Sequence, residues 1–196
     1  MILETRDRDS GALVEVQASR GVMLAHASGG KYQEAALAGR LFHSANVDPV
    51  ATTATLLANW EGLGLCNPTG SGKIVIVHEF GYAFSTPTAA LGIILALAVT
   101  DDATFVQDAN ITIQCARPGY RTSACYTSED VGTLTVPIIV KIISQHADAA
   151  TTTFVSVPRV VDLDGSIILP EGRTVVTDTT LTSDAQFSFM WEEIDA

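Results

Sequence analysis

Leu63-Gly64-Leu65-Cys66-Asn67-Pro68-Thr69-Gly70-Ser71-Gly72-Lys73-Ile74-Val75-Ile76-Val77-His78-Glu79-Phe80-Gly81-Tyr82-Ala83-Phe84 is the run from which the rest of the chain is read. Two segments rich in β-formers flank a cluster of Asn, Pro, Thr, Gly and Ser. That pattern predicts a hairpin whose loop lies between two buried strands. The same alternation of short apolar run and turn cluster continues to the C-terminus, where it is most regular. Ala185, Phe187, Phe189 and Trp191 alternate there with Gln186, Ser188, Met190 and Glu192. A period of two places the aromatic rings on one buried face of a strand.

Upstream of this run, residues 1–10 are charged and aperiodic and are expected to form a short N-terminal arm. Residues 12–18 and 22–26 read as a first pair of strands. Residues 34–38 favour helix but are too few to stand alone, and 41–45 read as a strand. Asn46-Val47-Asp48-Pro49 is a turn, followed at 52–58 by a strand or a short helix. Residues 91–99 are apolar on both faces, as in a strand covered on both sides, with a buried helix as the competing reading.

Residues 100–131 are more polar and hold one clear strand at 111–115, so they are expected to form a loop-rich excursion. The β-branched run 133–144 contains Pro137, which cannot donate to a ladder and so marks an edge strand or a bulge. Strands are then expected at 152–158 and 160–163. Asp164-Gly165 has the chemistry of a tight hairpin loop, Pro170-Glu171-Gly172 makes a further turn, and 174–177 another strand. With no amphipathic helix of useful length, the expectation is all-β: an antiparallel β-sandwich, jelly-roll-like, in a single domain from 11 to 196.

The chain has 196 residues, enough to bury a core without disulfide staples. Charged residues are 17% of it, below the usual value of about 25%. Too little charge to coat a monomer implies apolar surface covered by other copies, against the plainer alternative of a Thr/Ser-rich coat. Net charge is −11. From residue 147 onward Asp148, Asp162, Asp164, Glu171, Asp178, Asp184, Glu192, Glu193 and Asp195 face only Arg159 and Arg173. Such a surface repels phosphate, so no nucleic acid is expected as a partner. The longest apolar run, 89–99, is far short of the roughly 20 residues of a membrane helix, and Met1-Ile2-Leu3 is followed at once by charge, unlike a secretory leader. A soluble protein is expected, with no membrane partner.

The candidate chemistry is thin. Thr69-Gly70-Ser71-Gly72-Lys73 lacks the leading Gly and trailing Ser/Thr of a phosphate loop, holding Asn67 and Ile74 there, and a turn is the better reading. His78-Glu79 lacks the second His of a zinc-protease helix, since Tyr82 occupies that position, and a strand would put the two on opposite faces. His26, His43 and His146 have no ligand spacing. Asp162-Leu163-Asp164-Gly165 lacks the later acids of a calcium loop. Glu192, Glu193 and Asp195 could hold a divalent ion against a neighbouring chain, but read more simply as a solvated acidic tail. Cys66, Cys115 and Cys125 are an odd set; the last two could meet across a loop, while buried free thiols are the commoner outcome. No catalytic, cofactor-binding or metal-binding residue is assigned, and no enzyme activity is expected. Exposed aromatics in the excursion, Tyr120 and Tyr126, are the candidates for an alternative role: a tail- or fibre-associated module recognising host-surface glycan.

Three stretches taken together resemble a known group. They are Tyr32-Gln33-Glu34-Ala35-Ala36-Leu37-Ala38-Gly39-Arg40-Leu41-Phe42; Leu65-Cys66-Asn67-Pro68 with Ser71-Gly72-Lys73; and Gly165, Pro170-Glu171-Gly172 and Phe187-Ser188-Phe189-Met190-Trp191-Glu192-Glu193-Ile194. They are similar to small β-rich virion proteins of tailed bacteriophages, in the class of capsid decoration or cement proteins. The likeness runs over 32–194 and leaves out 100–131. It implies a β-sandwich without enzymatic activity or cofactor, made in the host cytoplasm and carried on the capsid exterior. The partners implied are copies of itself, most often as a homotrimer, and the major capsid protein, which it would stabilise.

Overall fold

The loop 68–72 does not close a hairpin. In the computed structural model β5 (Asn59–Asn67) and β6 (Lys73–Phe84), the strands on either side of it, belong to different sheets. The expected pairing fails because both strands carry an apolar face, Leu63 and Leu65 on one and Val75 and Val77 on the other. All four side chains enter one core, fully buried. Two strands with apolar faces turned toward each other stack as layers about 10 Å apart instead of sharing a ladder.

The structure describes residues 3–6, 13–16, 30–52, 59–85, 93–101, 105–133, 135, 137–146, 158–180 and 182–196. The chain divides into two compact units, Met1–Glu34 and Ala35–Ala196. In the first, β1 (Leu3–Arg6) pairs antiparallel with β2 (Leu13–Val16). β2 falls inside the strand expected at 12–18, and β1 inside the segment expected as an arm. The strand expected at 22–26 lies outside the described residues, as do residues 53–58 of the segment expected as a strand or short helix and 152–157 of another expected strand. The short helix α1 (Gln33–Leu37) ends at Gly39, whose positive φ of 68° suits a helix C-terminus.

The second unit is an all-β sandwich. Its strands are β3 (Leu41–Ala45), β4 (Val50–Ala51), β5, β6, β7 (Ile93–Asp101), β8 (Gln114–Cys115), β9 (Tyr126–Thr133), β10 (Ile138–His146), β11 (Arg159–Leu169), β12 (Arg173–Thr179) and β13 (Asp184–Asp195). One sheet has the order β10-β7-β12-β5-β9 and the other β11-β6-β13-β3-β8, all antiparallel, with β4 extending the β3 edge of β13. Setting aside β4, β8 and β9, the pairs β3–β13, β5–β12, β6–β11 and β7–β10 are nested. They alternate between the sheets, which is a long hairpin rolled into a jelly roll. β7 settles the ambiguity at 91–99 in favour of a strand, held between β10 and β12.

The core is built on β13. Ala185, Phe187, Phe189 and Trp191 are all buried, as the alternation predicts. Phe80 lies 5.1 Å from Phe189 and 5.9 Å from Phe187, and Phe42 stacks on Trp191 at 6.1 Å between centroids. Each such ring contributes roughly 1.5–3 kcal/mol by burial.

Two features depart from a simple alternating pattern, and both lie on the β6–β11 ladder. In β6, Val77 and Phe80 both point into the core, so a bulge at His78 leaves His78 and Glu79 together on the outside, not on opposite faces. Asp164-Gly165 makes no hairpin. β11 is one strand whose Asp162 and Ile167 pair with Glu79 and Val77 of the same partner, and the residues between bulge outward. The positive φ angles of Asp164 (51°) and Gly165 (68°) are spent on that bulge. Leu163 is buried beneath it, and the Asp164 N–H donates to Asp162 Oδ1 at 2.9 Å.

The excursion holds more strand than its composition predicts. β9 lies at its end and pairs with β5, while only Gln114 and Cys115 of the strand expected at 111–115 pair, with β3. The excursion therefore adds one strand to each sheet at the same side of the sandwich. Phe105, Ile111, Cys115 and Cys125 anchor it in the core, and polar contacts add to them: Gln107 Oε1 accepts from the Thr127 N–H at 2.8 Å, and Ser44 Oγ donates to Thr127 Oγ1 at 3.3 Å.

Candidate functional site

Two surfaces of the sandwich stand out. The first is the side opposite the excursion, where β10 and β11 are the edge strands of their sheets. Lys141 Nζ donates to Ser166 Oγ at 3.0 Å and ties the two edges together. The run 133–144 is not one strand: Thr133 ends β9, and Pro137 sits immediately before β10, an edge strand whose ladder to β7 is interrupted twice. Ile138, Ile139, Val140 and Ile142 are all exposed, Ile138 at 72% and Ile142 at 67%, and Ile168 of β11 joins them at 57%. On the opposite side the excursion supplies the edges: β8 is two residues long and β9 carries Glu129 and Asp130. Short or charged edges resist association; β10 has one charge, Lys141, among five exposed or half-exposed aliphatic side chains, Ile138, Ile139, Val140, Ile142 and Ile143.

The second surface is a groove of about 390 Å³ on the outer face of the six-stranded sheet. The register fixes its layout. His43, Met190 and Glu79 lie side by side across β3, β13 and β6, and Ala45, Ser188, Gly81 and Val160 form the next row. Ala45, Ser188 and Gly81 of the second row are the floor, and Val160 walls it at β11. A Cβ at Gly81 would sit 2.3 Å from Ser188 Oγ, so a larger residue here would require the Ser188 hydroxyl to turn away. Gln114 and Thr112 of the excursion rim one end. Burial holds the His43 imidazole below its ordinary pKa of 6.5, against the opposing pull of the Glu79 charge. At neutral pH it is uncharged, with one nitrogen to donate and one to accept.

The sequence-level candidates distribute as follows. His78 Nε2 lies 3.4 Å from Glu192 Oε2, and Arg40 Nε donates to Glu192 Oε1 at 2.7 Å. Glu193 is buried and accepts from the Trp191 indole (3.1 Å), the Ala124 N–H (3.1 Å) and the Ser123 hydroxyl. Asp195 pairs with Lys73. Glu192 and Glu193 are thus anchors, while Asp195 stays exposed as expected of a solvated tail. His26 lies outside the described residues, as does the side chain of His146. Among the described residues no group of His, Cys, Asp and Glu is placed to hold a metal ion.

Cys66, Cys115 and Cys125 are free and buried; burial and the nearby Glu193 charge push the Cys125 thiol far above its ordinary pKa. The loop 69–73 is a turn, and its N–H groups are occupied: Gly70 and Gly72 donate to the Glu171 carboxylate at 3.0 and 2.6 Å. Tyr120 and Tyr126 are exposed. The Tyr120 ring is packed against its neighbours, however, with the Arg117 guanidinium 4.1 Å from its centroid and Gly39 so near that a Cβ there would meet the ring at 2.0 Å.

No sequence signal marked the groove, because its residues come from five strands and segments that meet only after folding. The apolar edge was legible as the 133–144 run, though not as exposed surface. Compared with known proteins, no family model, curated protein or solved structure matches the chain.

Proposed function

We propose that this chain is a structural subunit that associates with copies of itself and binds the outer surface of a tailed-phage capsid as a decoration or cement protein. The observation that carries the self-association is the bare aliphatic edge of β10, flanked by Ile168 of β11, opposite an edge the chain protects with its own excursion. Contiguous exposed apolar surface of this kind marks an interaction site. The two bulges of β10 disfavour a further strand in the ladder, so association rests on side-chain burial. The low charge content and net charge of −11 support a subunit covered by neighbours and kept away from packaged DNA. The capsid assignment rests on the sequence resemblance; the jelly roll, which hosts many roles, is compatible with it.

Light scattering of the purified chain is expected to give the mass of a trimer. Cryo-electron microscopy of capsids assembled with and without the chain is expected to place its density on the outer shell. A monomer at micromolar concentration removes the self-association, and capsids without the added density remove the decoration role.

A further inference from the structure

Gly81 is the residue from which the groove on the outer sheet face is best understood. Along β6 the outward positions on either side of it are Glu79 and Ala83, and across the sheet its neighbours are Ser188 and Val160. A row of small residues, Ala45, Ser188 and Gly81, therefore lowers the sheet surface between the larger walls of Met190 with His43 and Glu79 on one side and Val160 on the other. A second depression of about 260 Å³ shares that floor and continues it toward Gln186 and Arg159. The volume of the main groove falls within the range of small-ligand sites, roughly 300–1,000 Å³.

The lining narrows the chemistry. The described groups facing the main groove are a carboxylate (Glu79), an imidazole (His43), a carboxamide (Gln114) and hydroxyls (Thr112, Ser188), with the Met190 thioether and Val160 methyls between them. None is cationic, and the single carboxylate opposes any phosphate or sulfate. Phe189 is among the lining residues but is buried in the core, which leaves the His43 imidazole as the ring a flat heteroaromatic ligand would meet there. Donors and acceptors spaced around an aliphatic floor match a ligand that carries several hydroxyls on a ring with C–H faces.

We propose that this groove binds a neutral saccharide unit, with Glu79, His43 and Gln114 hydrogen-bonding its hydroxyls and Met190 and Val160 contacting its C–H face. The neutral imidazole acts as both donor and acceptor toward vicinal hydroxyls, and the carboxylate accepts from a third. The polar groups of the site, Glu79, His43 and Gln114, lie on β6, β3 and β8, away from the β10 edge, while Val160 belongs to the β11 edge strand.

The test is an NMR titration of the intact chain, with labelled methionine methyl and histidine ring positions, against a panel of neutral mono- and oligosaccharides. At least one is expected to shift the Met190 methyl and His43 ring signals saturably. Glu79→Gln is expected to weaken that binding about tenfold, the loss of one charge-assisted hydrogen bond. Ser188→Leu, which fills the floor without touching the polar walls, is expected to abolish it. Both variants are checked for an unchanged thermal midpoint and an unchanged mass in solution. Absence of shifts with every saccharide at millimolar concentration overturns the site. So does binding that survives Ser188→Leu, or shifts produced only by amines or by phosphate. A change of mass with saccharide binding intact bears on the self-association alone.

Discussion

Glu171 holds Gly72 across the end of the sandwich: its Oε1 accepts the Gly72 N–H at 2.6 Å, while Oε2 takes the Gly70 N–H at 3.0 Å. Both glycines have positive φ, 82° at Gly70 and 67° at Gly72, which aims their N–H groups at one point. The glycine-rich loop is thus an anion nest filled by the chain's own carboxylate. The contact joins the turn between β11 and β12 to the crossing between the sheets.

Glu171→Ala is expected to lower stability by about 1 kcal/mol, since these are exposed, charge-assisted bonds whose donors water can replace. Urea unfolding with an unchanged m-value checks this; a neutral substitution would show that the nest forms without its anion.

Glu193 is the more consequential carboxylate. Removing it in Glu193→Ala leaves the Trp191 indole, the Ser123 hydroxyl and the Ala124 N–H without their acceptor in a largely buried place. The expected loss is on the order of 3 kcal/mol. Hydrogen exchange is expected to show the Ala124 and Cys125 amides losing protection first, with the centre of β13 retaining it. Uniform loss along β13 would mean that Glu193 does not act as a local latch.

Phe189→Ala is expected to cost about 3–5 kcal/mol, because the Phe80 ring at 5.1 Å and the opposing sheet cannot close over the cavity. Thermal unfolding is the measurement. A loss near that of an exposed residue would mean the aromatic cluster is loosely packed.

Asp178 on β12 is buried, with Oδ1 unpartnered, and burial raises its pKa from the ordinary 3.8 to about 6. Below about pH 4 both folded and unfolded chains hold the proton, and the residue carries no penalty. As pH rises toward 6 the unfolded chain releases its proton first, so this group lowers folding stability across that window and holds it low above it. Asp178→Asn is expected to be more stable than the parent at pH 7, with the difference shrinking to nothing toward pH 4. A difference that does not vary with pH would rule out this titration as the cause.

Ile142→Lys is expected to lower the mass in solution while leaving the thermal midpoint of the isolated subunit nearly unchanged, as the position is 67% exposed. The same substitution at Val47, exposed but on the opposite sheet edge near β3, serves as control and is expected to leave the mass unaltered. An Ile142→Lys chain with the parent's mass would rule out this edge as the proposed interface.

How far the linear order carried can be traced in particular residues. The alternation of Ala185, Phe187, Phe189 and Trp191 correctly placed four core positions, because a strand's side-chain period is a local property. Pro137 precedes the edge strand β10 instead of lying within it, so the edge position holds and the uninterrupted run does not. Asp164-Gly165 misled: its two left-handed residues suit a hairpin loop, yet Val161 and Ile167 on either side pair with the same strand, β6. His78-Glu79 misled in the same way, since a one-residue bulge reverses every facing after it. Glu193 looked like solvent-facing acid until Trp191 and the 123–125 segment were found to donate to it.

The amino-acid order by itself determined the all-β character and the aromatic face of β13, since these follow from torsional preferences and near-neighbour periodicity. Which strands share a sheet, the crossing at 68–72, the groove above Gly81 and the exposure of β10 were decided only by tertiary structure. The physical reason is that an apolar face records that it must be buried but not against what. That choice is made by the joint packing of Leu63, Val77, Leu97 and Phe189, residues far apart in the chain and in contact only within the closed core.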